Sequence, residues 1–482
     1  MKRLLLLSML LCCSFAFSST RLLDAVVDVK VVSAEYDYDS PWKSSSQARF
    51  RGSGFLIEGG YILTNAHVVQ NQLFIEVKSQ NGKTTYADLI AVSHVGDLAL
   101  LALEDPTIMQ GVTPLKIRNH MAELNEKILI VGFPSIGETL CVTEGKVIQT
   151  ELDWYVHTFS DLLVHRVDAR AFGGNSGGPV LAEGEVVGVL HQGTEDIHDI
   201  IPTPIVLHFL QEAGVGQVEG YPTFAYPFFN FYQEMRNPAL RAYYQMHPDE
   251  EGALVRFIPE NHFFSGSLFP GDIILSIDGY SINQDQMVEL DNGVRVDLKY
   301  LIAQKFYGEW IDLMILREGK RFPLSIFVDP EKKGAPLIPR DRFDQPPTYY
   351  VNAGLVFQPI DSQFKDQFDQ CDFSDRLDYY FYSGKVEDGR TELVVLTQIL
   401  PDKVNEGYNC YPDIGIVDQV NGKKIRKMED VIQAFDGHNG VYHHIVTESD
   451  YEIIIDVELA QIRNEKIMKR YGIPADRSCD LE

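Results

Sequence analysis

His67 in TNAHVV, Asp97 in GDLALLAL and Ser176 in FGGNSGGPV stand in that order within about 110 residues. A serine hydroxyl is a poor nucleophile unless an imidazole takes its proton as it attacks. A buried carboxylate can hold that imidazole in the working tautomer and stabilise its cation. The tetrahedral oxyanion then needs converging backbone N–H groups, and glycines allow the backbone angles that aim them. On this reading Ser176 is the nucleophile, His67 the base and Asp97 its orienter, with the Gly174 and Ser176 amides as oxyanion donors. Taken singly, a histidine in a strand-end loop or an aspartate after glycine is ordinary turn chemistry. GNSGGP is more specific, because five turn-formers around one serine between apolar strands serve no packing purpose. The three together point to acyl transfer.

The elements that must carry these residues are short. From Leu22 to about Gly214, apolar runs such as AVVDVKVVSA (25–34), GSGFLIEGGYILTNAHVV (52–69) and LLVHRVDARAFGGNSGGPVL (162–181) alternate with Gly and Asn. Val, Ile and Leu at strand length, punctuated this way, predict an all-β barrel or sandwich. IPTPIVLHFLQEAG (201–214) has helical spacing and ends on glycine. An aromatic, turn-rich stretch at 215–238 marks one boundary, and a stretch with five prolines at 329–347 a second. Strands are expected at 252–258, 270–279 and 310–328, around a helical stretch near 284–305. The last segment repeats that grammar, with strands at 354–360, 393–400, 414–425 and 451–459 and a helix at 428–435. PGDIILSIDGYSI and PDIGIVDQVNGKKI form a weak internal repeat.

The chain has 482 residues, 45% hydrophobic and 23% charged, which fits about three globular domains. Lys2 and Arg3 precede an apolar run from Leu4 to Phe17 that is too short to span a bilayer. It reads as a signal peptide cut after Ser18, with acylation of Cys12 or Cys13 as the alternative. The net charge of −27 becomes −29 once the two positive charges of residues 1–18 are removed. So acidic a surface disfavours nucleic acid as a partner. Cys141, Cys371, Cys410 and Cys479 lie far apart, which argues against a zinc or redox motif. A Cys371–Cys410 disulfide and free thiols both stay open. No phosphate-cradling loop, dinucleotide fingerprint or HExxH is present, and the adjacent His443 and His444 are poorly spaced for one metal. The expectation is therefore no cofactor and no metal.

The order His, Asp, Ser is that of chymotrypsin-like enzymes. GSGFLI, TNAHVV, GDLALL and GNSGGPV resemble the blocks around the catalytic residues of the HtrA/Deg (Do-like) serine proteases, and IIPTPIVLHFL resembles their closing segment. LIPRDRFDQPPTYYVNAGLVF, GYNCYPDIGIVDQVNGKKI and RYGIPADRS look like the last domain of the plant-type Deg branch. The resemblance implies a mainly β chain. A trypsin-like double β-barrel would occupy residues 19–215, an α+β PDZ-type domain 216–332, and a divergent second PDZ-like domain 333–482. It also implies ATP-independent cleavage of unfolded or damaged polypeptides, trimeric or larger homo-assembly, and capture of peptide C-termini by a PDZ domain.

Some positions depart from the family pattern. Ala171, Phe172 and Gly173 replace its usual Ile-Asn-Pro, with Ala171 where an S1-pocket side chain is common. Leu190, His191 and Gln192 stand on the pocket wall, where His191 is either a pocket residue or a strand histidine. Phe224, Ala225 and Tyr226 align with the first carboxylate-binding loop, and Gly354, Leu355, Val356 and Phe357 with the second. The chain is thus expected to be an exported serine endopeptidase, periplasmic rather than secreted or lipid-anchored. A peptide-binding chaperone or scaffold and a processing protease with few substrates are the alternatives.

Overall fold

A computed structural model describes residues 22–194, 197–214, 232–340, 342–368, 375–408 and 415–482. The signal peptide expected at 1–18, the loop Phe224, Ala225 and Tyr226, and the pair Cys371 and Cys410 lie outside the described residues. Cys141 and Cys479 are free thiols. Among the described residues no helix is long and apolar enough to cross a membrane.

The chain forms two compact units. The first comprises Met1–Ser33, Ala48–Ile258 and Phe263–Lys333, the second Ala34–Gln47, Pro259–His262 and Gly334–Glu482. Twelve strands of the first unit close into two barrels. One contains β1 (Val26–Tyr36), β2 (Ser44–Leu56), β3 (Ile62–Thr64), β4 (Gln72–Lys78), β5 (Thr84–Ser93) and β6 (Leu98–Leu103), in the order β1-β2-β3-β6-β5-β4. The other contains β7 (Lys127–Gly132), β8 (Cys141–Tyr155), β9 (Ser160–Asp168), β10 (Pro179–Ala182), β11 (Glu185–Gly193) and β12 (Ile197–Pro202), in the order β10-β11-β12-β9-β8-β7. The expected mainly β, double-barrel fold is present.

β-Branched residues suit the pleated, crowded wall of a small barrel, and their inward positions fill it. Val29, Val31, Phe55, Ile62, Ile75 and Leu100 are buried in the first barrel, and Ile128, Ile130, Val167, Val180 and Ile200 in the second. The expected closing helix runs Thr203–Glu212 and buries Ile205, Val206 and Phe209. Gly214 after it has φ +76, a left-handed position that glycine takes without a Cβ penalty.

Six of the eight strands between Tyr232 and Phe327 form one sheet within the same unit. It is tied to the barrels by Lys299 Nζ, 2.5 Å from Asp161 Oδ2, and by the His208 ring stacked at 3.9 Å on Phe306. Within the stretch read as helical, only Lys299–Ala303 is helix. Met287–Glu289 and Arg295–Asp297 pair instead as a hairpin. Asp-Asn-Gly between two alternating runs is a hairpin signal that outweighs the helical spacing.

The second unit carries a seven-stranded sheet whose main path runs through Tyr350–Asn352, Leu355–Pro359, Val394–Ile399, Gly415–Val420, Tyr442–Thr447 and Glu452–Asp456. The last strand stops at Asp456, earlier than expected, because that side chain caps a new helix, Val457–Tyr471, by accepting from Leu459 N at 2.7 Å.

Burial holds the His165 and His208 imidazoles in the first unit down at about 4. A folded-state value below the unfolded one, about 6.5, means that the unfolded chain binds the extra protons first. Stability from these neutral rings is therefore intact above pH 6.5 and declines as the pH falls towards 4. The urea midpoint of the first unit is expected to drop steadily across that window, and a flat midpoint would contradict it.

Candidate active site

The three residues singled out by the sequence meet between the two barrels, each delivered by a different connection. His67 lies in the one-turn helix Ala66–Val69 after β3, not at the end of the strand itself. Asp97 directly precedes β6 with φ 50, in the left-handed region that Asp tolerates better than most residues. Asn65, itself buried, donates from Nδ2 to the Asp97 carbonyl at 2.8 Å and fixes this turn. Ser176 lies in the loop between β9 and β10.

Asp97 has no exposed surface. Its Oδ1 accepts from the His67 backbone N at 2.9 Å, and His67 Nδ1 stands 2.8 Å from Oδ2 and 3.0 Å from Oδ1. His191 Nδ1 reaches the same Oδ2 at 2.6 Å. Burial alone would push the Asp97 carboxyl up, but His67 and His191 together hold it well below the usual carboxylate range. An ionised carboxylate only accepts, so both Nδ1 atoms carry the hydrogen. That leaves His67 Nε2 as the free basic atom. Ser176 Oγ donates to the His191 carbonyl at 3.5 Å and makes no hydrogen bond to His67. Such a bond is often loose before substrate arrives.

The loop around Ser176 is held by its glycines and by two serines. The Gly173 carbonyl accepts from Ser135 N at 2.6 Å, and Ser53 Oγ donates to the Gly174 carbonyl at 2.8 Å. In a trans peptide the N–H opposes the C=O, so the Gly174 N–H points away from Ser135. Neither the Gly174 nor the Ser176 amide donates to a protein acceptor among the described residues. Gly174 has φ 96, and a Cβ there would stand 2.6 Å from both Phe133 O and Ser135 N. At Gly178 a Cβ would fall 2.2 Å from Val131 O. This arrangement can deprotonate a serine as it attacks a carbonyl and can meet the resulting oxyanion with two amides.

The residues expected on the pocket wall do not converge. Ala171 and Leu190 are buried in the core of the second barrel. Phe172 is 42% exposed, and Gln192 Nε2 donates to the Trp154 carbonyl at 2.9 Å. His191 turns to Asp97. Sequence reading missed Ser53, Ser135 and His157, whose ring stacks on His67 at 5.4 Å, nearly parallel at 6°. Burial, with the His67 charge beside it, lowers His157 to about 4, so it is neutral near neutral pH.

Asp97, His67 and His191 also form the one group of three potential metal ligands found among the described residues. Ligands about 2.0–2.1 Å from a tetrahedral ion stand about 3.3 Å apart. The 2.6 and 2.8 Å separations here are hydrogen-bond lengths, too short to admit one without rearrangement.

In the second unit, Ala353 (φ 53) and Gly354 (φ 83) make the tight turn of a hairpin that pairs Tyr350–Asn352 with Leu355, Val356 and Phe357. Val394–Ile399 pairs on the other side of that strand, and the three side chains are fully buried. The outer strand is itself bonded by the C-terminal segment, through Val351 N to the Asp476 carbonyl at 2.7 Å and Ser478 N to the Tyr349 carbonyl at 3.0 Å. Among the described residues, Leu355, Val356 and Phe357 thus sit in a strand paired on both sides with the chain's own backbone, and Gly354 in the turn before it.

Comparison with known proteins agrees with this geometry. The model of a trypsin-like peptidase domain matches residues 52–189, and that of a PDZ domain matches residues 338–480. The chain is 33% identical over 470 residues to Protease Do-like 2, chloroplastic, of Arabidopsis thaliana, covering 95% of this chain and 75% of that protein. It is 32% identical over 468 residues to Putative protease Do-like 3, mitochondrial, of the same plant, covering 95% and 80%. The solved HtrA-type protease AlgW, as a variant with a decapeptide, aligns at a TM-score of 0.52 and 21% identity over 67% of this chain and 99% of that one, a likeness of fold.

A Gly174→Ala variant is expected to lose one oxyanion donor, lowering kcat by about 10²–10³ while KM stays near the wild-type value. Steady-state cleavage of labelled casein measures both constants, and an unchanged kcat would remove Gly174 from the site.

Proposed function

Because the chain belongs to the Do-like (HtrA/Deg) family of serine proteases, we propose that it degrades unfolded or damaged polypeptides, without ATP, in an exported or organellar compartment. Its trypsin-like domain and Do-like relatives make it a serine endopeptidase with a PDZ domain. Ser176 Oγ attacks the scissile carbonyl while His67 Nε2 takes its proton, and Asp97 keeps His67 in the Nδ1–H tautomer and stabilises the imidazolium. The Gly174 and Ser176 amides bind the oxyanion. His67 then returns the proton to the leaving amine, and water repeats the sequence on the acyl-enzyme.

The observation that carries this reading is the Asp97–His67 pair at 2.8 Å beside a serine loop whose two amides are unused by the protein. A broad substrate range is supported by the pocket wall. Ala171 and Leu190 are taken up by the barrel core, which leaves Phe172 as the exposed side chain of that stretch. Relatives described as chloroplastic and mitochondrial support an organellar or exported location, of which the periplasm is one case. A PDZ domain and an HtrA-type fold fit assembly into a homo-oligomer that binds peptides.

A second reading is favoured by the Ser176 hydroxyl, which is turned to the His191 carbonyl rather than to His67. On that reading the resting protein holds polypeptides as a chaperone and cuts only when the serine swings over. Incubation of casein with wild type and with Ser176→Ala separates the two. Clearance by wild type alone is expected, and equal clearance by both would exclude Ser176 as nucleophile.

A further inference from the structure

Beyond His67, Asp97 carries two side-chain partners that the reaction does not require, the Tyr155 phenol and the His191 imidazole. On β11 the register with β12 runs from Leu190 opposite Ile200 to Gln192 opposite Asp199, so His191 is the extra residue of a β-bulge. A bulge breaks the alternation of a strand and re-aims one side chain. Leu190 keeps its place in the barrel core, while the His191 imidazole, with no exposed surface, is swung to Asp97 Oδ2 at 2.6 Å. The Tyr155 ring packs on the other side of it at 4.5 Å. Its Nε2 is buried without a hydrogen-bond partner, so the one polar contact this ring makes is to the carboxylate.

We propose that His191 is a positioning residue of the proteolytic site, its Nδ1–H fixing the Asp97 carboxylate in the orientation and ionised state that His67 needs. The proposal rests on the catalytic assignment of Ser176, His67 and Asp97 above. A buried carboxylate with one imidazole partner could rotate about its Cβ–Cγ bond and would bear the full cost of desolvation. A second N–H on Oδ2 opposes that rotation and shares the charge. The two imidazoles also divide the carboxylate between them. The His191 Nδ1–H stays on the carboxylate while His67 takes the serine proton.

The titratable groups around His191 are consistent with this division. Asp97 bonds it, the Tyr155 ring packs against it with its phenol hydrogen-bonded to the same Asp97 carboxylate, and His157 stacks on His67. Asp199 on the neighbouring strand is engaged by Arg166 at 3.2 Å. Burial, followed by the nearby Asp97 charge, keeps Tyr155 a neutral phenol. A second proton on His191 Nε2 would enter a site with no acceptor for it.

Two variants separate positioning from packing. His191→Phe keeps a ring and removes the donor, whereas His191→Asn removes the ring and returns an N–H near the position of Nδ1. With fluorescent casein at several pH values, His191→Phe is expected to lower kcat about 10–100-fold, as loss of an outer partner of a functional imidazole does. KM should stay within about twofold, and the acid limb of kcat/KM should move to higher pH as the less-shared carboxylate charge falls on His67. His191→Asn should restore kcat and the limb towards wild type. If His191→Phe has the wild-type kcat and acid limb, or if His191→Asn is as impaired as His191→Phe with both melting like wild type, the proposal fails. Should His191→Phe not fold, His191→Asn decides alone, a wild-type profile supporting the proposal and a tenfold loss overturning it. Ser176→Ala, assayed alongside, tells failure of this inference from failure of the catalytic reading, since only the latter leaves Ser176→Ala active.

Discussion

A single ionised carboxylate with no exposed surface sets the terms for the rest of the site. Burying an unpaired carboxylate costs many kcal/mol, and the group would protonate rather than remain charged. Asp97 stays ionised because three N–H groups converge on it, two from His67 and one from His191, with the Tyr155 phenol as a further hydrogen-bond partner. The carboxylate and its partners are placed by separate pieces of barrel: Asp97 by the connection into β6, His67 by the helical turn after β3 and His191 by the bulge in β11. The barrels matter to function chiefly because their closed walls hold these connections in fixed relation. Chemistry then follows from the tautomer. With both Nδ1 atoms committed to the carboxylate, His67 Nε2 is the basic nitrogen left to face the serine.

Backbone geometry makes the second half of the site. The Ser176 loop turns through Gly174 and Gly177 at φ 96 and 82, and a Cβ on Gly177 would stand 2.2 Å from the Ser53 carbonyl. Ser135 N takes up the Gly173 carbonyl and Gly178 N the Asn175 carbonyl, which leaves the opposed Gly174 and Ser176 N–H groups of those peptides directed away from these partners. Donors set in advance need no reorganisation when charge develops on the substrate oxygen. The same close approach explains why glycine is dense here, since any side chain at these points would meet backbone.

Much of this was legible in the sequence, and the reasons are local. His67, Asp97 and Ser176 each lie in a short block where turn residues interrupt apolar strands, a pattern with few structural uses. Short β-branched runs predicted a β barrel or sandwich, and the resemblance to the Do-like family implied that there are two barrels. What escaped depends on partners distant in the chain or on small breaks in regularity. His191 meets Asp97 across 94 positions, and only a bulge turns it there. Ser53 and Ser135 look like ordinary loop serines until the Gly174 peptide is folded between them. The hairpin at Met287–Asp297 was hidden by residues compatible with a helix, and the helix from Val457 by an apolar strand running straight into it. Gly354, Leu355, Val356 and Phe357 resembled the family's carboxylate-binding loop, whereas the pairing that covers them involves Val394–Ile399 and the C-terminal segment, both far along the chain.

The central claim is that the buried Asp97 charge makes Ser176 a nucleophile through His67. It is tested most directly by the rate at which an organofluorophosphate modifies the intact protein, followed by mass spectrometry with the adduct mapped to its residue. One adduct is expected, on Ser176, forming quickly in wild type and several orders of magnitude more slowly in Asp97→Asn. Equal rates in the two proteins, or an adduct on another serine, would contradict it.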